Sequence, residues 1–187
     1  MSDSSGPGPG GGETPRGAAF FDRDGVLNVD RGYVHRSQDV EWMPGAIEAV
    51  RAANAAGLIV VVVTNQSGVA RGFYGEAEVE ALHQWMSEQL AAEGARVERF
   101  YHCPFHEEAV VEAYRFADHP DRKPNPGMLR RAIAELSIDP ARSFMIGDQL
   151  SDMIAGARAG VASYLFEGGD LARLTAQAIA ELGLKGV

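Results

Sequence analysis

Ala18-Ala19-Phe20-Phe21-Asp22-Arg23-Asp24-Gly25 sets four apolar residues directly before two carboxylates and a glycine. A short run that is apolar at every position is what a strand needs when helices cover both faces of its sheet. The abrupt polar end places Asp22 and Asp24 just past the strand. Side chains two apart on an extended segment share a side, so these carboxylates can converge, and Gly25 lets the chain turn sharply. Convergence would let one carboxylate attack while the other handles a proton; an acidic turn capping the strand is the structural alternative.

The same pattern recurs along the chain. Leu58 to Val63, Val97 to His102, Ser143 to Ile146 and Val161 to Phe166 read as further strands. Helical spacing falls between them, at about 45–56, 75–93, 127–136, 150–159 and 171–182. Pro44, Pro126 and Asp170 mark helix starts, and Gly57, Gly94, Gly160 and Gly183 mark ends. Strict alternation predicts an α/β fold with a doubly wound parallel sheet, whose ligand site lies beyond the carboxyl ends of the strands. Two stretches, Asp22 to Pro44 and Cys103 to Pro126, show no regular pattern. Met1 to Gly17 is rich in Gly, Pro and Ser and reads as a disordered leader, with 18–187 as a single domain.

Composition narrows the partners. Of 187 residues, 45% are hydrophobic and 23% charged, globular proportions. The longest apolar run, Leu58 to Val63, is far short of the ~20 residues a membrane helix requires, and no signal-peptide pattern opens the chain, so a cytoplasmic protein is expected. The single cysteine, Cys103, excludes an internal disulfide framework. A net charge of −9 disfavours nucleic acid and anionic membranes, leaving small molecules as partners, and a monomer is expected. An anionic ligand must then meet locally arranged cations. Only two of the 17 basic residues are lysines, Lys123 and Lys185.

Three more polar clusters follow the strands or precede a helix. Thr64-Asn65-Gln66-Ser67-Gly68 offers hydroxyls, two amides and loop N–H groups, a donor-rich turn able to cradle phosphate oxygens or simply a polar strand-to-helix turn. Arg122-Lys123-Pro124-Asn125-Pro126 holds the scarce lysine, whose compact ammonium suits a point-charge contact that a guanidinium fork does not reproduce; an exposed lysine is the alternative. Gly147-Asp148-Gln149-Leu150-Ser151-Asp152 puts two carboxylates at a helix entrance, where capping alone could explain either. Together with Asp22 and Asp24 they make four carboxylates at strand ends, which favours a hard cation such as Mg²⁺ among them.

In this order and with these sequences, the clusters resemble the haloacid dehalogenase superfamily of aspartate-nucleophile phosphohydrolases from Ala18 to about Phe166. The runs Phe21 to Asn28, Asp30 to His35, Val62 to Gly72 and Arg122 to Met128 are similar to its heptose and histidinol phosphatase branch. The resemblance implies a capless fold, which agrees with the absence of any segment long enough for an inserted cap. It implies Asp22 as nucleophile and Asp24 as acid and base. Mg²⁺ would be held by Asp22, the Asp24 carbonyl and Asp148, with Asp152 behind them. Thr64, Asn65 and Lys123 would hold the phosphoryl group, with Gln66 and Ser67 in the same donor turn. Asp30, Arg31, Gly32, Tyr33 and Arg122 would face the substrate, expected to be a heptose bisphosphate, with histidinol phosphate or another small monoester as alternative. A non-catalytic phosphate-binding module would have no need of Asp24 beside Asp22. Many members of the branch bind structural zinc in the loop before the Arg-Lys pair. Here Cys103 remains, but Phe105 stands at the expected histidine and His119 and Asp121 at two expected cysteines, so a zinc site built with His106 is disfavoured and a loop held by Phe105, Tyr114 and Phe116 is expected.

Overall fold

The computed structural model describes residues 15–183. Strands β1 (Ala18–Phe21), β2 (Ile59–Asn65), β3 (Arg99–Cys103), β4 (Phe144–Gly147) and β5 (Ala162–Leu165) form one sheet in the order β3-β2-β1-β4-β5. All neighbouring pairs are parallel. The helices are α1 (Ala46–Ala55), α2 (Ser67–Ala70), α3 (Glu76–Ala92), α4 (Gly127–Glu135), α5 (Leu150–Ala159) and α6 (Leu171–Glu181). Each expected strand and helix is present. The addition is α2, a single turn too short to leave a helical period in the sequence.

The uniformly apolar strands divide their side chains between two cores. Ala19, Phe21, Val60, Val62, Phe144 and Ile146 pack with α1, α3 and α6, whereas Ala18, Phe20, Val61, Val63 and Met145 pack with α4 and α5. Both faces are therefore buried, which is why strict polar alternation is missing. The chain runs outward from β1 to β2 and β3, then returns to place β4 on the other side of β1. This reversal of strand order opens a crevice at the carboxyl end of β1, immediately before Asp22. Helix ends follow the local chemistry: Asp170 caps α6 by accepting from Ala172 N at 2.9 Å, and Gly160 ends α5 with φ of 78°.

One expectation needs correction. Arg16 and Gly17, assigned to the leader, belong to the ordered fold: the Arg16 carbonyl accepts from Asp139 N at 2.9 Å and the Gly17 carbonyl from Ile59 N at 3.0 Å. Composition missed this because backbone carbonyls make the attachment. The remaining leader, 1–14, and the tail with Lys185 lie outside the described residues. The stretches 22–44 and 103–126 contain short 3-10 turns at Ser37–Asp39 and Glu112–Tyr114. Among the described residues, no helix is long and apolar enough to cross a membrane.

Candidate active site

Asp22 leaves β1 into a cavity of about 410 Å³ lined by Asp22, Asp24, Thr64, Lys123 and Asp148, among others. Lys123 reaches its floor from the loop before α4. Its Nζ lies 2.9 Å from Asp22 Oδ1 and 2.7 Å from Asp152 Oδ1, and donates to the Val63 carbonyl at 2.8 Å. Only 3% of Lys123 is exposed, so these contacts replace its hydration. Burial alone would lower its proton affinity, but Asp22 and Asp152 outweigh it and keep the ammonium charged. Asp22 is pushed up to about 7, first by burial, with Lys123 opposing and Asp152 and Asp24 adding. A carboxylate this reluctant to ionise calls for more positive charge than one lysine supplies.

The donor set fits a hard cation. Asp22, Asp148 and Asp152 each bring an oxygen within 4.8 Å of the other two. Asp148 Oδ1 is buried without a hydrogen-bond partner, an orphan that a cation would satisfy. The approach depends on small residues. A Cβ on Gly25, whose φ is 85°, would collide with the Asp148 carboxylate, and one on Gly147 would strike Asp152. Asp152 is fully buried at the start of α5, where Oδ2 accepts from Gln149 N at 3.0 Å while Oδ1 faces Lys123. Asp152 thus combines the helix-capping role considered from sequence with an ion pair to Lys123.

Thr64, Asn65, Gln66 and Ser67 all line the cavity, and the two amides also brace the scaffold. Asn65 exchanges hydrogen bonds with the backbone of Lys123. Gln66, 2% exposed, donates to Asp24 Oδ2 and to Thr64 Oγ1 at 2.9 Å each and accepts from the Tyr74 hydroxyl at 3.0 Å. With its amide engaged on both sides, the Gln66 side chain holds its neighbours in place at the cavity wall.

Asp30, Gly32 and Tyr33 line the cavity, and Asp30 Oδ1 accepts from Gly32 N. Arg31 departs from expectation: it is exposed, is paired with Glu41, and is not part of the cavity wall. Positive φ at Gly32 (73°) and Tyr33 (56°) bends the chain immediately after it. Arg122 lines an adjoining cavity of about 260 Å³ with His106, Glu107, Phe116 and Asp118, and the two cavities share Lys123. Burial first and then Arg122 and Arg71 depress the proton affinity of His106, with Glu108 and Glu107 opposing. Arg71 Nε is buried with no partner. Tyr74 also lines the main cavity without a motif to announce it, and Gln149 and Ser151 do so from the 147–152 cluster, in which sequence reasoning gave roles only to the carboxylates.

The side chains suggested as a zinc set do not fit one. Cys103 Sγ is 3.9 Å from His119 Nδ1, but that nitrogen accepts from Asp121 N, Asp121 Oδ2 pairs with Arg131, and His106 Nδ1 accepts from Glu108 N. Phe105, standing where the histidine was expected, stacks on His119 with centroids 4.0 Å apart and planes within 8°, and contacts Tyr114 and Phe116 edge-on. Burial pushes the Cys103 thiol up to about 11.

Known proteins share this arrangement. A family model described as HAD-hydrolase-like matches residues 121–182. The chain is 45% identical to the D-glycero-beta-D-manno-heptose-1,7-bisphosphate 7-phosphatase of Rhodopseudomonas palustris over 168 residues, 89% of this chain and 92% of the relative. Among solved structures, a HAD-like phosphatase from Mesorhizobium loti superposes with a TM-score of 0.82 at 40% identity, over 95% of this chain and 93% of that one. The D,D-heptose 1,7-bisphosphate phosphatase of B. bronchiseptica, complexed with magnesium and phosphate, gives 0.75 at 32%, over 88% and 99%. With the aspartates after β1, the buried lysine and the Asp148 and Asp152 carboxylates at the entrance of α5 in place, the chain belongs to the haloacid dehalogenase-like hydrolases, in the family of the heptose-bisphosphate phosphatases.

Proposed function

We propose that this enzyme removes the 7-phosphate of D-glycero-beta-D-manno-heptose 1,7-bisphosphate in the cytoplasm through an aspartyl-phosphate on Asp22. The observation that carries the reading is the Lys123 ammonium held between Asp22 and Asp152 at the floor of the cavity, beside an orphaned carboxylate oxygen of Asp148. Asp22 Oδ1 is occupied by Lys123 and by Arg23 N, which leaves Oδ2 to attack phosphorus. Asp24 gives a proton to the departing sugar oxygen and then takes one from the water that cleaves the aspartyl-phosphate. Lys123 and the Thr64 hydroxyl balance charge on the phosphoryl oxygens, with the backbone of the 64–67 turn as further donor. Asp22, Asp148 and the Asp24 carbonyl would hold Mg²⁺, with Asp152 keeping Lys123 in place. When bound, the cation supplies positive charge that lets anionic nucleophile and anionic phosphate approach.

Arg122, in the cavity that adjoins the main one, suits the second phosphate, since a guanidinium binds phosphate through paired N–H donors. The 103–121 loop that shapes this side is held by aromatic stacking and needs no zinc.

Phosphate release from the heptose bisphosphate, histidinol phosphate and a simple aryl phosphate, each with and without Mg²⁺, tests the reading. The bisphosphate should lead in kcat/KM, and Asp22→Asn should abolish turnover. Equal rates for wild type and Asp22→Asn would reject the mechanism; histidinol phosphate ahead by orders of magnitude would reject the substrate.

A further inference from the structure

Arg23, the residue between the two aspartates, is fully buried. A guanidinium taken out of water needs an acceptor for each N–H it can place. Nε donates to Asp24 Oδ1 at 3.2 Å, and Nη2 reaches Asp24 Oδ2 at 2.8 Å and the Val34 carbonyl at 2.6 Å. Nη1 has a different partner, His83 Nε2 at 3.2 Å, on the buried face of α3. His83 itself cannot swing. Its ring is stacked on Phe100 of β3, centroids 4.7 Å apart and planes within 21°.

We propose that His83 is a positioning residue for Asp24: as a neutral acceptor it fixes the Arg23 fork, and the fork fixes the carboxylate that exchanges protons with substrate and water. Only a neutral imidazole with its proton on Nδ1 offers a lone pair at Nε2 to a guanidinium. The environment enforces that state. Burial, Arg23 and His102 all disfavour a second proton. Without the acceptor, Nη1 keeps a buried, unsatisfied donor, and the fork can tilt toward another partner. Asp24 would then lose its bidentate hold and its angle, while Asn28 and Gln66, each donating at 2.9 Å, would still restrain it. The same fork holds the Val34 carbonyl, so the acid and the loop carrying Asp30 and Tyr33 share one anchor. This inference rests on Asp24 acting as acid and base.

Two variants and one spectrum test it. His83→Phe preserves the stack on Phe100 but offers no acceptor, and His83→Gln can present an amide oxygen near the Nε2 position. Expected is a fall in kcat of about 10- to 100-fold in His83→Phe with KM within about 3-fold, and recovery to within about 3-fold of wild type in His83→Gln. Asp24→Asn serves as the control. If it retains wild-type kcat, the acid and base assignment fails; if it is inactive while His83→Phe is normal, the positioning role alone fails. Equal losses in both His83 variants would assign the residue to packing and overturn the proposal. Long-range ¹H–¹⁵N correlation on labelled enzyme should show His83 protonated at Nδ1 and bare at Nε2 near pH 7. A proton on Nε2 would overturn it without any activity measurement.

Discussion

The Asn65 side chain and the Lys123 backbone exchange two hydrogen bonds, Nδ2 donating to the Lys123 carbonyl at 3.0 Å and Lys123 N donating to Oδ1 at 3.1 Å. This clasp ties the end of β2 to the loop before α4 and aims the ammonium at Asp22. Asn65→Ala should lower kcat by about 10- to 100-fold, because a small displacement of a charge-balancing group is costly. Thermal unfolding should fall by only a few degrees, on the order of two hydrogen bonds. Unchanged kcat in steady-state phosphate release would show that the loop holds Lys123 unaided.

Lys123→Met leaves Asp22 and Asp152 buried without their cation. Breaking a buried ion pair from one side costs about 3–5 kcal/mol, so metal-free protein should lose that much in urea unfolding. Adding Asp152→Asn should restore part of it by removing one stranded charge. No recovery in the double variant would mean the two side chains are not coupled.

Asp148→Asn separates stability from cation binding. The metal-free protein should become slightly more stable, since one of three mutually repelling carboxylates is gone. The rise in Tm that Mg²⁺ gives wild type should shrink or vanish, because binding to the folded state alone is what stabilises. Removing metal with EDTA should stop turnover in wild type, and an undiminished Mg²⁺ shift in Asp148→Asn would argue against Asp148 as a ligand.

His83 makes stability depend on pH. Burial first, then Arg23 and His102, hold its pKa well below the usual 6.5, so beneath that pH the unfolded chain binds a proton the native one refuses. Stability should therefore fall as pH drops through and below about 6.5, with a slope from this group of up to about 1.4 kcal/mol per unit. His83→Gln should show a shallower decline between pH 7.5 and 5.5 in urea titrations. Parallel declines would place the acid sensitivity elsewhere.

Cys103 should be inert in the folded enzyme. With its thiol pushed up to about 11 and its side chain buried, iodoacetamide at pH 7.5 should modify it only after unfolding. Elemental analysis should find zinc well below one atom per chain, and Phe105→Ala should loosen the 103–121 loop to proteolysis more than Cys103→Ala does. Stoichiometric zinc in purified protein would refute an aromatic support for this loop.

Sequence alone determined the alternating fold, since apolar runs and helix-period segments are local patterns set by which faces must be buried. It also placed Asp22, Asp24, Thr64, Lys123, Asp148 and Asp152 at the ends of those elements, because in a parallel sheet the carboxyl end of each strand is a position along the chain. What each polar side chain does with its hydrogen bonds was not local. The Gln66 amide is engaged by Tyr74, Asp24 and Thr64, one N–H of Asn65 goes to the Lys123 carbonyl, and Arg31 is paired with Glu41 away from the cavity wall. Arg23 and His83, 60 residues apart, meet only because α3 packs on the face of the sheet below Asp24. Tertiary structure decided these roles for one physical reason: a buried donor must find an acceptor, and only the folded chain determines which one is within reach.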